Sequence, residues 1–275
     1  MVIGFTLFSL IPVLVVVVLS FFNWDLSGTP EFVGLHQYAT AMADPEFWHS
    51  LGLTALYVVF NLPLQWLLSL GIALLLRRNV PGAGIFRIIF LIPWVLTPIA
   101  IATLWKWILN PLTGVLNYLM TNVGFHSIDW FSSSWALKTV ALVNIWQFTG
   151  ISTAILLVGM QAIPEMYLEA AKLDGAGAWK SFIHVSVPLL RPTILYLVVT
   201  GVLGSFQVFD TVYGLTLGGP GNSTEVYYFY LYQQAFQFSN FGYASALAVI
   251  LFLVLMLFTA VQLIYFRRAG EDDDY

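Results

Sequence analysis

The stretch EAAKLDGAGAWKSFIHVSVP, Glu169 to Pro188, lies between two long apolar runs at about 137–160 and 193–213. It contains two acidic residues, two lysines and two glycines, in a chain of which only 9% of the residues are charged. A polar segment in such a position needs an explanation, because the chain has few charged residues and both neighbouring runs are apolar.

The spacing within this segment predicts two short helices. Met166, Ala170 and Leu173 recur at i, i+4 and i+7 and form one apolar stripe. Gly175 follows as a helix stop, since glycine takes the left-handed conformation without a steric cost. A second apolar face is formed by Trp179, Phe182 and Ile183. Pro188 and Pro192 mark the end of this second helix, before the next apolar run. The loop 161–192 is therefore predicted to be a two-helix hairpin.

The rest of the chain is typical of a membrane protein. Of its 275 residues, 59% are hydrophobic and 16% are aromatic, and the mean hydropathy is +0.85. A bilayer core about 30 Å thick needs about 20 apolar helical residues per crossing. Such runs lie at about 2–22, 51–76, 84–108, 137–160, 193–213 and 242–266. The first run has no basic residue before it and no small-residue cleavage site after it, so we expect a retained span rather than a signal peptide.

The predicted fold is an all-α membrane protein of six transmembrane helices, in a single domain over residues 1–275. Its orientation follows from the basic residues, which are concentrated on the cytoplasmic side of membrane proteins. Eight of them fall on one side of the predicted spans, namely Arg77, Arg78, Arg87, Lys172, Lys180, Arg191, Arg267 and Arg268. Only Lys106 and Lys138 fall on the other. Both termini and the hairpin are therefore expected to be cytoplasmic.

Composition excludes several classes of site. The chain has no cysteine, which rules out disulfides, thiolate metal sites and cysteine nucleophiles. Its four histidines are scattered without metal-ligand spacing. The net charge of −4 owes much to the C-terminal EDDDY and gives no reason to expect nucleic-acid binding.

Two partners suit the hairpin from its residues alone. One is the lipid headgroup region, on which amphipathic helices rest. The other is a protein, which is favoured because the polar face mixes Glu165, Glu169 and Asp174 with only two lysines. Its many small residues would also let another backbone approach closely.

The segment 169–192, EAAKLDGAGAWKSFIHVSVPLLRP, resembles the EAA loop of permease subunits in binding-protein-dependent ABC importers. The matching positions are Glu169, Ala170, Ala171, Asp174, Gly175, Ala176, Phe182, Val185, Val187 and Pro188. Valine at 185 and 187 departs from the commoner isoleucine and leucine. The segment 209–246, FDTVYGLTLGGPGNSTEVYYFYLYQQAFQFSNFGYASA, resembles the carbohydrate-importer branch of the family, which includes maltose and glycerol 3-phosphate permeases.

This resemblance implies that the hairpin is a coupling helix seated on an ATP-hydrolysing subunit. The residues expected in the contact are Glu165, Glu169, Ala170, Ala171, Asp174, Gly175, Ala176, Phe182 and Pro188. It also implies a second six-span permease subunit, two ATP-binding subunits and an extracytoplasmic solute-binding protein in a bacterial or archaeal cell membrane. The expected function is import of a sugar-like solute by ATP-driven alternating access. The chain itself is expected to be no enzyme and to bind no cofactor, with ATP and Mg²⁺ held by the partner subunits.

The sequence agrees with ATP hydrolysis by separate subunits. The chain has no G-x-x-x-x-G-K-[ST] phosphate loop and so is not itself a P-loop ATPase. An ion-coupled secondary transporter stays open as an alternative, although no acid or histidine lies near the centre of a predicted span. A multi-span enzyme would need a clustered acid, base or metal site, and the sequence contains none.

Polar and aromatic residues in the fourth and fifth runs form the candidate substrate pathway. They are Asn144, Gln147, Phe148, Ser205, Phe206, Gln207, Phe209, Asp210 and Tyr213. Polar groups within spans are costly and should face a cavity or another helix. Amides, a carboxylate and aromatic faces suit a polyhydroxylated ligand, and the alternative for these residues is contact between helices. Asn61 and Gln65 in the second run are expected to form interhelical hydrogen bonds.

Overall fold

The computed structural model describes the backbone of residues 2–77 and 82–271 and the side chains of residues 4–77 and 84–266. Almost all regular structure is helical. The main helices are α1 Thr6–Leu19, α2 His36–Ala43, α3 Pro45–Arg77, α4 Ala83–Val95, α5 Pro98–Ile108, α6 Val115–Asn122, α7 Ala136–Gln161, α8 Glu165–Leu173, α9 Ala178–Leu189, α10 Arg191–Phe206, α11 Asp210–Leu215, α12 Tyr227–Tyr232 and α13 Phe241–Glu271. Short helical segments at Val2–Phe5 and Gln233–Gln237 adjoin α1 and α12. A two-stranded antiparallel ribbon pairs β1 Phe22–Asn23 with β2 Glu31–Phe32. The predicted all-α membrane fold is confirmed.

Helices occupy all six predicted span regions, but not all of these are straight crossings. Within the described ranges, α3, α7 and residues Phe241–Phe266 of α13 are each long and apolar enough to cross a membrane. The pair α4 and α5 and the pair α9 and α10 pass the same test only together, and α1 is a shorter apolar helix. The region 84–108 is therefore occupied by two helices that meet at a bend, and α10 alone is shorter than a membrane crossing.

The break between α4 and α5 follows from proline chemistry. The two helices meet at 98°. Pro98 begins α5, where its missing N–H costs nothing, and Thr97 before it is extended at φ −64° and ψ 133°. Pro93, in contrast, stays inside α4. Only one of these two prolines therefore breaks the predicted span.

A further break, inside the predicted span 193–213, falls at Gln207–Phe209, between α10 and α11. No proline or glycine occurs there, but Asp210 opens α11, where a carboxylate is favourable beside the unpaired N–H groups. As a result, residues 206 and 213 do not belong to one continuous helix, contrary to the prediction.

Close backbone contacts hold the bundle together. A Cβ atom on Gly150 of α7 would overlap the Phe90 carbonyl of α4, and one on Gly214 of α11 would overlap the Ala102 methyl of α5. Helix α3 packs along α7, where the Ser69 hydroxyl approaches the Thr149 carbonyl oxygen at 3.2 Å. Small residues at such contacts are typical of membrane helix pairs.

The connections 23–50, 109–136 and 214–241 pack together at one end of the bundle, here called the long-connection side: Tyr230 bonds Asp44, and Trp130 and Phe229 share one hydrophobic cluster. The Thr54 hydroxyl of α3 accepts a hydrogen bond from the Tyr227 amide at 2.8 Å, and the Tyr227 hydroxyl donates to the Leu247 carbonyl of α13 at 2.8 Å. The hairpin α8–α9 lies at the opposite end. Of the basic residues used to predict orientation, Arg78, Arg267 and Arg268 lie outside the described side chains.

Candidate functional site: a hairpin and a polar cavity

The hairpin has the predicted two helices and the predicted stop. Helix α8 ends at Leu173, and Gly175 follows at φ +77°. The Gly175 amide donates to the Lys172 carbonyl at 3.1 Å and the Ala176 amide to the Ala171 carbonyl at 2.9 Å. These two bonds are those of a Schellman cap, which pairs carbonyls that a helix end otherwise leaves free. Helix α9 then meets α10 at 69°.

Most hairpin side chains are exposed in the isolated chain. Of the residues predicted to couple to an ATPase, Glu165, Glu169, Ala170, Asp174 and Gly175 are exposed; Ala176, Phe182 and Pro188 are partly buried; and Ala171 is buried. Apolar side chains of the hairpin require burial against this chain or against a partner, and Phe182 packs beside the core around Leu190 of this chain. Met166, Leu173 and Trp179 are 67%, 89% and 70% exposed, so their burial stays a prediction about a partner.

A cavity of about 330 Å³ lies between the helices closer to the bundle centre. Its wall combines amide and hydroxyl groups, one carboxyl group and five aromatic rings. The lining residues are Asn61, Gln65, Trp66, Trp94, Pro98, Asn144, Phe148, Ile151, Ser152, Ile155, Tyr196, Leu197, Thr200, Gly201, Gly204, Ser205, Gln207, Val208, Phe209, Asp210 and Thr211. Polar groups that face such a cavity avoid the cost of exposure to lipid.

The cavity brings together six of the nine predicted pathway residues, namely Asn144, Phe148, Ser205, Gln207, Phe209 and Asp210. The other three do not line it. Gln147 is 1% exposed and buried inside the chain, and Phe206 packs against Phe258 with ring centroids 5.5 Å apart. Tyr213 stacks on Phe209 at 5.4 Å and supports that ring from behind. The helix break after Phe206 separates residues that a continuous helix would have placed on one face.

Helix α3 contributes cavity residues that the sequence did not assign to the pathway. Asn61 and Gln65 form the expected interhelical hydrogen bonds, to Ser205 at 3.3 Å and to Ser152 at 2.9 Å. The same side chains also line the cavity, together with Trp66. Two amides one turn apart in an apolar run were the available signal, and only the first of these roles was predicted from them.

No cluster of three or more histidine, aspartate or glutamate side chains that could hold a metal occurs among the described residues. The arrangement suits binding of a neutral polar ligand: carboxyl and amide groups can bond hydroxyls, and the rings can pack against C–H faces.

The sequence profile of the family described as "Binding-protein-dependent transport system inner membrane component" matches residues 67–270. The chain is 37% identical over 256 residues to the sulfoquinovosyl glycerol transport system permease protein SmoG of Agrobacterium fabrum, covering 92% of this chain and 83% of SmoG. It is 31% identical over 242 residues to the trehalose/maltose transport system permease protein MalF of Thermococcus litoralis, covering 87% and 82%.

Solved structures show the same fold. A chain from the crystal structure of a bacterial alginate ABC transporter, in complex with an alginate pentasaccharide-bound periplasmic protein, matches with a TM-score of 0.86. The match has 20% sequence identity and covers 98% of this chain and 92% of that one. A chain of an amino acid ABC transporter matches with a TM-score of 0.56 and 14% identity.

Proposed function

Because this chain belongs to the family of binding-protein-dependent transport system inner membrane components, we propose that it is the permease subunit through which an ABC importer carries a sugar or sugar-like solute into the cell. The cavity is the observation that supports a sugar-like substrate. It combines the Asp210 carboxyl group with amides and aromatic rings, which are the groups that hydroxyls and sugar C–H faces require. Two relatives, SmoG and MalF, have names that specify sugar-containing solutes. Family membership does not support the alternative of an ion-coupled secondary transporter.

Energy for transport comes from separate subunits in this proposal. The sequence has no phosphate loop, so ATP and Mg²⁺ bind to two partner ATPases and not to this chain. A second six-span permease completes the pathway, and a solute-binding protein delivers the substrate on the long-connection side. With this orientation, both termini and the hairpin are cytoplasmic.

The exposed hairpin is the proposed contact with an ATPase. Met166, Leu173 and Trp179 present apolar side chains on a two-helix unit that its Schellman cap holds in shape. Leaving them in water is unfavourable by about 25 cal/mol per Å² of apolar surface. Closure of the ATPases would move this unit as one body and change how α4–α5 and α10–α11 enclose the cavity.

The coupling part can be tested at Gly175, where a Cβ atom would meet nothing within 4 Å but the backbone is at φ +77°. We expect Gly175→Val to abolish ATP-dependent uptake, because a β-branched residue strains this conformation. Gly175→Asn is the matched control, since asparagine tolerates it. Both variants should insert equally. Normal coupling in Gly175→Val would contradict the role of the hairpin.

The substrate class can be tested in proteoliposomes that contain the whole transporter and its binding protein. Uptake of labelled trehalose, maltose and sucrose is compared with uptake of labelled amino acids. We expect at least one sugar to be imported and Asp210→Ala to slow its import about tenfold or more, while the ATPase subunits still copurify. Import of amino acids alone would refute a sugar permease.

A further inference from the structure

Four polar side chains from three helices form a hydrogen-bonded group in the cavity wall. Gln65 Nε2 of α3 donates to Ser152 Oγ of α7 at 2.9 Å, and Asn61 Nδ2 donates to Ser205 Oγ of α10 at 3.3 Å. The two amides are linked to each other, since Asn61 Nδ2 lies 3.4 Å from Gln65 Oε1. All four side chains line the cavity and are less than 7% exposed.

The direction of these bonds has a physical basis. In the observed arrangement, the group left without a partner is the Asn61 Oδ1 atom. Reversing both amides would let the serines donate to amide oxygens, but it would leave the Asn61 NH₂ group, with two donors, in the unpaired position. Buried donors without partners are rarer in proteins than carbonyl oxygens without partners. The observed direction, with the amides donating, is therefore the favoured one.

The two serines also differ from neighbouring hydroxyl residues. Four nearby hydroxyl groups on α3, α7 and α10 donate to the carbonyl one turn earlier, at 2.6–2.8 Å; they belong to Ser69, Thr149, Thr153 and Thr200. In the part of the chain that the structure describes, neither Ser152 nor Ser205 donates to any acceptor. Each accepts a bond from an amide and keeps its own hydrogen available.

We propose that Ser152 and Ser205 are specificity-determining residues that donate hydrogen bonds to substrate oxygen atoms, and that Asn61 and Gln65 are positioning residues that fix this direction. The proposal rests on the sugar-permease function proposed above. The substrate groups that meet the serines are hydroxyl groups, whose oxygen atoms accept the bonds. The Asp210 carboxylate, further along the chain towards the long-connection side, accepts bonds from substrate hydroxyls.

This arrangement makes a prediction about substrate analogues. Fluorine can accept a hydrogen bond weakly but cannot donate one, and hydrogen can do neither. At a substrate position that faces a serine, a fluoro analogue should therefore be imported better than a deoxy analogue. At a position that faces Asp210, both analogues should be imported poorly.

The experiment uses the whole transporter in proteoliposomes and the sugar among trehalose, maltose and sucrose that is imported fastest. Uptake of its monofluoro and monodeoxy derivatives is measured at half-saturating concentration. We expect at least one position at which the fluoro derivative is imported about tenfold faster than the deoxy derivative. Ser152→Ala or Ser205→Ala should remove that difference.

Gln65→Leu tests positioning. Without the amide, the Ser152 hydroxyl is expected to turn to the carbonyl one turn earlier, as Thr149 and Thr153 do. The variant should then lose the fluoro preference as Ser152→Ala does, and the double variant should lose no more. Ser69→Ala is the control, because its hydroxyl bonds only backbone carbonyls and it does not line the cavity.

Each outcome separates the two proposals. Import of the sugar without any fluoro preference, or with one that survives both serine variants, overturns the donor assignment and leaves the permease function intact. A fluoro preference that Gln65→Leu does not alter overturns the positioning role. If none of the three sugars is imported, the proposed function fails, and the donor assignment fails with it.

Discussion

Gly214 of α11 packs directly against Ala102 of α5, with no room for a side chain between them. Each residue belongs to the second half of a broken span, and α5 and α11 begin at Pro98 and Asp210, both of which line the cavity. The contact therefore joins the two half-helices that enclose the cavity towards the long-connection side.

Gly214→Val should force these half-helices apart. Added methyl groups in a closely packed contact cost about 1–3 kcal/mol, so we expect the purified transporter to lose thermal stability by that amount and sugar uptake to fall. Gly71→Ala is the control, because a Cβ atom on Gly71 of α3 meets nothing within 4 Å. Equal melting temperatures for the two variants would show that α5 and α11 can separate at Gly214 without a loss of stability.

The hairpin could be predicted from sequence because its signals are local. Gly175 ends α8 through its own backbone conformation, and the neighbouring carbonyls are paired within four residues of it. Such features depend little on the rest of the chain. The apolar runs were likewise recognisable, since lipid requires each span to satisfy its backbone internally.

The cavity was harder to predict because two helix breaks shape it. Proline at 98 signalled a bend, but only the packed structure distinguishes it from Pro93, which leaves its helix intact. The break at Gln207–Phe209 has no proline or glycine, and it turned Phe206 away from the cavity. Asn61 and Gln65 were assigned a single role because a sequence does not show that a hydrogen-bonding pair can also line a pocket.

Asn117 organises the connection 109–136. Its amide nitrogen donates to the Pro111 and Ile128 carbonyls at 3.2 and 2.8 Å, and its oxygen accepts from the Ile128 amide and Trp130 Nε1 at 3.2 and 3.0 Å. We expect Asn117→Ala to lower the free energy of unfolding by about 2–4 kcal/mol, because several buried partners lose their bonds together. Faster hydrogen exchange at the Ile128 amide would report the change. Asn122→Ala, at an exposed position ending the same helix, should leave exchange unchanged, and equal exchange in both variants would contradict this role.

Asp44 connects three segments on the long-connection side. It accepts hydrogen bonds from the Tyr230 hydroxyl and, at 2.8 Å, from the Tyr243 hydroxyl. Burial raises the pKa of Asp44, but these bonds and backbone amides outweigh it and lower the pKa below 3.8. Asp44→Ala should reduce stability by about 1–2 kcal/mol, measured by thermal unfolding of the transporter at pH 7. Asp25→Ala is the control, since Asp25 bonds only its own turn at Ser27 and Gly28. If Asp25→Ala reduced stability more than Asp44→Ala does, the effect would be attributed to the loss of a negative charge and not to the hydrogen bonds of Asp44.

Glu225 should make stability depend on pH in the opposite direction from a paired carboxylate. Burial raises its pKa above the ordinary 4.5, and the charges of Glu46 and Asp44 raise it further, against an opposing effect of His49. The folded state then binds the proton more tightly than the unfolded state, so this contribution is complete below pH 4.5 and is lost as pH rises through the folded pKa. We expect melting temperatures measured from pH 5 to 8 to fall less steeply in Glu225→Gln than in the parent. Glu46→Gln should lower the pKa of Glu225 and give an intermediate slope. If Glu225→Gln and the parent have parallel profiles, Glu225 is not the titrating group.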